Sequence, residues 1–292
     1  FSPDISATSQ MLSDLAFRLA EKDMEVVVVT GRMLYDDRHA DLPSFEKLND
    51  VEVFRVWASR FGRRRFLFRA IDYLTFYFTS FMCVLLLAKR GDWIVAKTDP
   101  PLLLIPMLLI ARLRGARLAN WFQDVFPEIA REIKPPSFMA PIFRQVLDGL
   151  TVMRDFALKH SDTTTVIGSR MREYLISRGI PPEKLTIIPN WADTNLINPI
   201  PPESNPLRDQ WGLHGKTVVG YSGNLGFAHN FDVIRDAAVA LRDNDQIVFL
   251  IIGGGLKQPA LEAEVKALEL EAKILFKAYQ PREKLAESLS AA

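Results

Sequence analysis

Residues 220–232 read GYSGNLGFAHNFD, between the apolar run KTVV and the segment DVIRDAAVALRD, whose apolar residues recur at helical spacing. Strand, glycine turn and helix in that order form the repeating unit of doubly wound α/β domains. The same alternation extends in both directions. Strands are predicted over 24–30, 51–57, 93–97, 116–122, 163–167, 185–188, 217–221, 246–252 and 273–278, with longer helical patterns between them. Several are unbroken apolar runs, such as VVVVT and IVFLIIG. Such runs belong to parallel strands covered by helices on both faces. The predicted class is therefore α/β, with parallel sheets.

The totals agree with a folded protein. Among 292 residues, 48% are hydrophobic and 24% charged, and the net charge is +1. That size allows one large or two ordinary domains. The sole cysteine, Cys83, has no partner for an internal disulfide, which favours a reducing compartment. The segment 191–206 is rich in Pro, Asn and Asp and lacks either period, so it reads as a linker. Residues 1–190 then form a first Rossmann-like domain and 207–292 a second. The chain opens on a helical pattern with no preceding strand and ends after three strand–helix units of the second domain. It reads as a fragment truncated at both ends.

Arginines and aromatics crowd the stretch RFGRRRFLFRAIDYLTFYFTSFMCVLLLAKRGDW. The uncharged run 73–88 has 16 residues, short of the roughly 20 that cross a bilayer as a helix. A core helix explains its back half. Its front, Arg63, Arg64, Arg65, Phe66 and Phe68, has the composition of an anionic-membrane contact, with rings in the interface and guanidinium groups on phosphates. A nucleic-acid partner is not expected, since neither a helix-turn-helix pattern, nor zinc spacing, nor overall basic charge accompanies the arginines.

Six phrases in order then carry a resemblance: PDISATSQMLSDLAFRLAEKDMEVVVVTGR, KTDPPLLLIP, NWFQDVFPEIA, IIPNWADTNLINP, VVGYSGNLGFAHNFD and FKAYQPREKL. Together they resemble glycosyltransferase family 4, in the branch that builds O-antigen, capsule and colanic-acid-type polysaccharides. The resemblance implies a GT-B fold: two Rossmann-like domains facing a cleft, the first for the acceptor and the second for a nucleotide-sugar, UDP-linked in this expectation. It also implies a hexosyltransferase that retains the anomeric configuration, uses no metal or other cofactor, and works in the cytoplasm on the inner face of the bacterial membrane. Its acceptor would be a lipid-linked saccharide. Trp191 stands where the family usually has Gly.

Transfer from a sugar diphosphate leaves negative charge on the departing group, which needs preorganised donors. Glycines let a phosphate approach backbone N–H groups, and a helix N-terminus favours an anion. Ser222, Gly223, Asn224 and Gly226 are the candidates for that seat, or else a tight strand-to-helix turn. Phe227 replaces an Arg of related sequences, leaving His229 as the cation of the loop unless Arg282 or Lys284 reaches in. Gly253 and Gly254 form a second glycine turn, which lines the donor or simply closes a strand. Tyr279 and Gln280 stand where the family receives the nucleotide base. On the acceptor side, Gln123, Asp124 and Glu128 follow a strand and are the candidates to position or deprotonate a hydroxyl. Helix capping is the competing role for the two acids.

The family's paired glutamates, separated by seven residues, would follow shortly after AESLSAA, and Glu283 and Glu287 stand too close together to substitute. The chain as given is accordingly expected to lack transfer activity. Two rival readings remain at this point: a GT-B sugar-nucleotide epimerase and a non-catalytic membrane-associated scaffold.

Overall fold

A computed structural model of the chain describes residues 1–4, 6–34, 40–61, 66–132, 137, 139–194, 196–226 and 229–292. Ten strands are described: β1 (Val27–Gly31), β2 (Phe45–Leu48), β3 (Val51–Val56), β4 (Trp93–Lys97), β5 (Arg117–Phe122), β6 (Thr163–Val166), β7 (Leu185–Ile187), β8 (Thr217–Asn224), β9 (Ile247–Gly254) and β10 (Ile274–Lys277). The helices are α1 (Ala7–Ala20), α2 (Phe66–Leu87), α3 (Leu104–Arg114), α4 (Ala140–His160), α5 (Ser169–Ser177), α6 (Pro206–Gln210), α7 (Asp232–Ala240), α8 (Gln258–Ala267) and α9 (Leu285–Leu289). All nine predicted strands are present.

The tenth strand, β2, went unpredicted. Its sequence FEKL is short and half charged, and it pairs antiparallel with β3 through Asn49 and Asp50, both at positive φ. Asn and Asp tolerate that conformation better than other side chains, which makes them hairpin residues. Every other ladder is parallel.

Contacts divide the chain into Phe1–Trp191 and Ala192–Ala292. The first unit carries two sheets, in the orders β1-β3-β2 and β4-β5-β6-β7. Strands β1 and β4 are edges of separate sheets, and both line an apolar cavity of about 180 Å³ with Phe76, Val84 and Met107. The main core of this unit buries Ile110, Leu118, Phe122, Leu158 and Leu175 between the four-stranded sheet and its helices.

The second unit has the order β10-β9-β8. Its central strand explains the continuous run IVFLII. Phe249 and Ile251 enter one core with Leu261 and Val265, while Val248, Leu250 and Ile252 enter another with Leu213 and Ala291. The Pro-rich segment is tied to this unit. Ile200 N–H donates to Ser290 Oγ at 3.0 Å, and Asn205 Nδ2 donates to the Glu287 carbonyl at 2.8 Å. Buried Arg208 donates to the carbonyls of Ala291, Leu213 and Lys216, each at 2.8 Å.

Candidate active site

The two glycine motifs lie side by side at the C-terminal edge of the β10-β9-β8 sheet, the edge where parallel α/β sheets bind ligands. Strand β8 runs further than its sequence predicts, and Gly223 and Asn224 are its last rungs, opposite Gly253 and Gly254. Both Gly223 (φ +155°) and Gly253 (φ +143°) occupy backbone conformations that favour glycine. A Cβ on Gly253 would lie 2.0 Å from the Gly223 carbonyl oxygen. The glycines therefore allow two backbones to meet. Beyond the rungs, Leu225 N–H donates to the Gly254 carbonyl at 2.9 Å, and Lys257 N–H to the Leu225 carbonyl at 3.0 Å.

The two turns differ in how they meet a helix. Helix α8 follows the second directly, at Gln258, whereas α7 starts only at Asp232, six residues past Gly226. Ser222 and Asn224 are exposed on the rim. Tyr221 donates to the Asn224 carbonyl at 2.9 Å and packs edge-on against Phe231 at 5.2 Å. Tyr279 lies across the second turn and donates to the Gly254 carbonyl at 3.3 Å. Gln280 and Arg282 follow it on the exit loop of β10, where Gln280 Nε2 donates to the Ala278 carbonyl. Ser222, Gly223, Asn224, Gly226, His229, Gly253, Gly254 and Tyr279 are thus gathered at one sheet edge, while Phe227 lies outside the described residues.

This edge has a cation that the sequence reading missed. Lys257 Nζ donates to the His229 carbonyl, so an ammonium from the second turn reaches the first loop. The signal was present in GGGLK, a lysine two residues past the last glycine and just before a helix.

In the first unit, Gln123 and Asp124 follow β5 directly. Gln123 N–H donates to Thr98 Oγ1 at 3.2 Å, and its Nε2 donates to Asn190 Oδ1 at 3.2 Å. Its Oε1 is buried and has no hydrogen-bond partner among the described residues. Trp191 stacks on Trp121 with centroids 5.4 Å apart, which accounts for an indole where Gly is usual.

Asp124 is exposed, yet desolvation and the neighbouring Asp99 carboxylate raise its pKa against the opposing pull of Lys97. Burial lowers the Lys97 amine to about 8 despite Asp99 and Asp124 nearby. Lys97 Nζ donates to the Thr8 carbonyl and sits 4.7 Å over the Trp121 ring. Lys97 and Asp99 belong to the quoted phrase KTDPP, but no role was predicted for either. Only the fold brings the ends of β4 and β5 together.

Glu128 is directed elsewhere. One carboxylate oxygen accepts from Arg154 Nη1 at 2.5 Å and the other from the Tyr174 hydroxyl. Burial would raise this carboxyl, but the hydrogen bonds from Arg154 and Tyr174 outweigh it and hold the pKa low. Arg154, with a fully buried side chain, also donates to the Phe126 carbonyl and to Asp155, which Arg178 holds from the other side. The cluster borders a cavity of about 390 Å³ with Arg131, Asp148 and Thr151. Glu128 in this setting anchors the segment after β5. Among the described residues no three His, Cys, Asp or Glu side chains gather as a metal-holding group.

Two α/β units built mainly on parallel strands, the second with paired glycine turns at the C-terminal ends of β8 and β9, have the architecture of the GT-B glycosyltransferases. The chain belongs to the glycosyltransferases: residues 7–191 match the glycosyl transferase 4-like domain and residues 204–292 the glycosyl transferases group 1 domain. Among similar proteins, WbjE of Pseudomonas aeruginosa, named as a glycosyltransferase, is 29% identical over 75% of this chain and 54% of its own length. WcaI of Escherichia coli (strain K12), named as a colanic acid biosynthesis glycosyl transferase, is 24% identical over 90% of this chain and 66% of its own. The chain thus spans roughly half to two-thirds of the length of these relatives. The crystal structure of Anabaena HepE in complex with UDP and glucose aligns over all of this chain and 70% of its own, at 18% identity and a TM-score of 0.65.

Proposed function

We propose that this chain carries the donor and acceptor sites of an enzyme that moves a sugar from a UDP-linked nucleotide-sugar to a lipid-linked saccharide. The reaction retains the anomeric configuration, needs no metal, and belongs to bacterial surface polysaccharide assembly at the inner face of the cytoplasmic membrane. The observation that carries the reading is the pairing of the two glycine turns at the C-terminal edge of β8 and β9, with Lys257 bridging them. The UDP bound to HepE and the colanic-acid assignment of WcaI support the donor class and the pathway class.

In this reading, the backbone around Gly223 and Gly254 admits the diphosphate and the Lys257 ammonium balances the charge that builds up on it. The Tyr279 ring flanks the nucleotide. Asp124, with its pKa raised toward the working pH, takes the acceptor hydroxyl proton more readily than an ordinary carboxylate would. Gln123, beside Asp124 at the end of β5, is the candidate to position the acceptor.

Calorimetric titration of the chain with UDP, UDP-sugars and GDP-sugars tests the donor half. One UDP compound is expected to bind, with Lys257→Met weakening it about tenfold, equivalent to about 1.4 kcal/mol. A folded chain that binds none of them refutes the donor site. Conversion of UDP-N-acetylglucosamine to an epimer by the whole protein, without acceptor, refutes transfer.

A further inference from the structure

Helices α2, α3 and α4 form a contiguous layer, α3 packing against both neighbours, and each turns apolar side chains outward. On α2 these are Leu74, Phe78, Met82 and Leu86, four residues apart and 63, 68, 41 and 75% exposed. On α3 they are Leu109 and Leu113, again one turn apart and both exposed. On α4, Ile142, Val146, Met153 and Phe156 are all exposed, and their spacings of four, seven and three put them on one helix face. Isolated exposed leucines need no explanation. Three exposed apolar stripes on adjacent helices are of the kind that marks an interaction surface.

The charge around this face identifies the partner. The C-termini of α2 and α3 meet, with Arg114 Nε donating to the Ala88 carbonyl at 2.7 Å and Gly91 N–H to the Gly115 carbonyl at 3.0 Å. That junction gathers the exposed Lys89, Arg90, Arg112, Arg114 and Arg117. Arg117 lies over the half-exposed Trp93 ring at 5.4 Å. The acids nearby are Asp92, which accepts from the Lys89 backbone N–H, and Glu25, 3.6 Å from the Lys89 amine. Residues 73–91 contain no acid, and neither does α3. Helix dipoles account for cations in a last turn, but not for the apolar stripes beside them. An apolar face with a cationic rim and an interfacial Trp is the pattern of a protein seated on anionic lipid. Among the described residues no helix is long and apolar enough to cross a membrane, so the contact is lateral.

We propose that the outer face of the α2–α3–α4 layer docks on an anionic lipid bilayer, with the basic junction of α2 and α3 on phosphate headgroups. The assignment rests on the membrane reading above and enlarges the contact surface. It extends from the expected Arg63, Arg64 and Arg65, which lie outside the described residues, along the whole helical layer. Phe66 opens α2, and Phe68 stacks on the exposed Phe61 at 5.8 Å, at the near end of the same layer.

The test is flotation of the full chain with vesicles of phosphatidylglycerol and phosphatidylethanolamine, compared with phosphatidylcholine alone. Binding to the anionic vesicles is expected. Leu74→Gln/Phe78→Gln/Leu86→Gln should lower it at least tenfold, and Arg90→Ser/Arg112→Ser should remove its salt sensitivity. Val233→Gln, 70% exposed in the other unit, serves as the control and should bind as the parent does. Unchanged circular dichroism establishes that the variants fold. Equal flotation of the glutamine variant overturns the proposal. If changing Arg63, Arg64 and Arg65 to Ser abolishes flotation while the glutamine variant still floats, the membrane reading survives and this surface fails. Absence of flotation by the parent chain overturns both, leaving the nucleotide titration to judge the transferase reading by itself. If the glutamine variant turns a dimer into a monomer in sedimentation while flotation is unaffected, the face is an interface between copies and the proposal is likewise overturned.

Discussion

Gly253→Ala should damage the second unit far more than Gly254→Ala, although the two glycines are adjacent in one motif. At Gly253 a Cβ would sit 2.0 Å from the Gly223 carbonyl oxygen, where side-chain carbons stay beyond about 3 Å of other atoms, so the β8 backbone must retreat by about 1 Å. That movement strains the rungs Gly223↔Gly253 and Asn224↔Gly254 and the Leu225 N–H bond to the Gly254 carbonyl. A side chain at φ +143° adds about 1–3 kcal/mol of strain, and a weakened hydrogen bond roughly 0.5–1.5 kcal/mol. The lower entropy of an unfolded chain with Ala offsets about 0.4–1 kcal/mol. The net cost is about 2–3 kcal/mol. For a unit the size of Ala192–Ala292, that lowers the melting temperature by roughly 10–20 °C. At Gly254 the nearest atoms, Gln258 Oε1 at 3.4 Å and the Tyr279 ring at 3.6 Å, are ordinary contacts, and the shift should stay within about 3 °C. Scanning calorimetry of the two variants against the parent reads both values. A Gly253→Ala transition within about 3 °C of the parent, or a Gly254→Ala loss as large as that of Gly253→Ala, refutes the account of two backbones in contact.

Two further outcomes concern the first unit. Arg154→Met leaves Glu128 without its buried partner while Asp155 keeps Arg178, so urea unfolding should show a loss near the lower end for a broken buried pair, about 3 kcal/mol. Because the folded-state pKa of Glu128 is depressed, its contribution is present above the ordinary carboxylate pKa and fades as pH falls through the folded value; the parent and variant stability curves should therefore converge in acid. Lys97, lowered to about 8 by burial, binds its proton less tightly folded than unfolded, so parent stability should rise relative to Lys97→Met between about pH 8 and 10.5. Acetylation followed by mass spectrometry should place the reactivity midpoint of Lys97 near pH 8.

The alternation of strand and helix was readable because strands covered on both faces must be apolar throughout. Ile247–Gly254, which divides its side chains between two cores, shows why that signal is strong. Strand β2 was unreadable for the opposite reason. It lies at a sheet edge and alternates exposed and half-buried residues, so FEKL contains too little apolar periodicity to register, and only the Asn49–Asp50 turn announces it. The extension of β8 was hidden as well. Glycine is scored as a strand breaker, yet Gly223 stays in the ladder because its partner across the rung is also a glycine.

Candidate site residues could be named where chemistry is local in sequence, and not where it depends on neighbouring strands. The pattern SGNLG marks a candidate phosphate turn or a plain strand-to-helix turn, and the lysine that reaches this loop comes from the next strand–helix unit, in Lys257. Searching the first loop for its own positive charge therefore overlooks Lys257. In the proposed donor site, built across β8 and β9, the diphosphate needs one ammonium within reach, and its origin in the chain is immaterial. The same logic separates the acids after β5. Asp124 and Glu128 are equivalent by composition and lie four residues apart. Yet desolvation and the neighbouring Asp99 carboxylate raise the pKa of Asp124 against the opposing pull of Lys97, whereas Glu128 is held as a carboxylate by Arg154 and Tyr174. Proton transfer requires a group that changes charge near the working pH, and of the two only Asp124 has been moved in that direction.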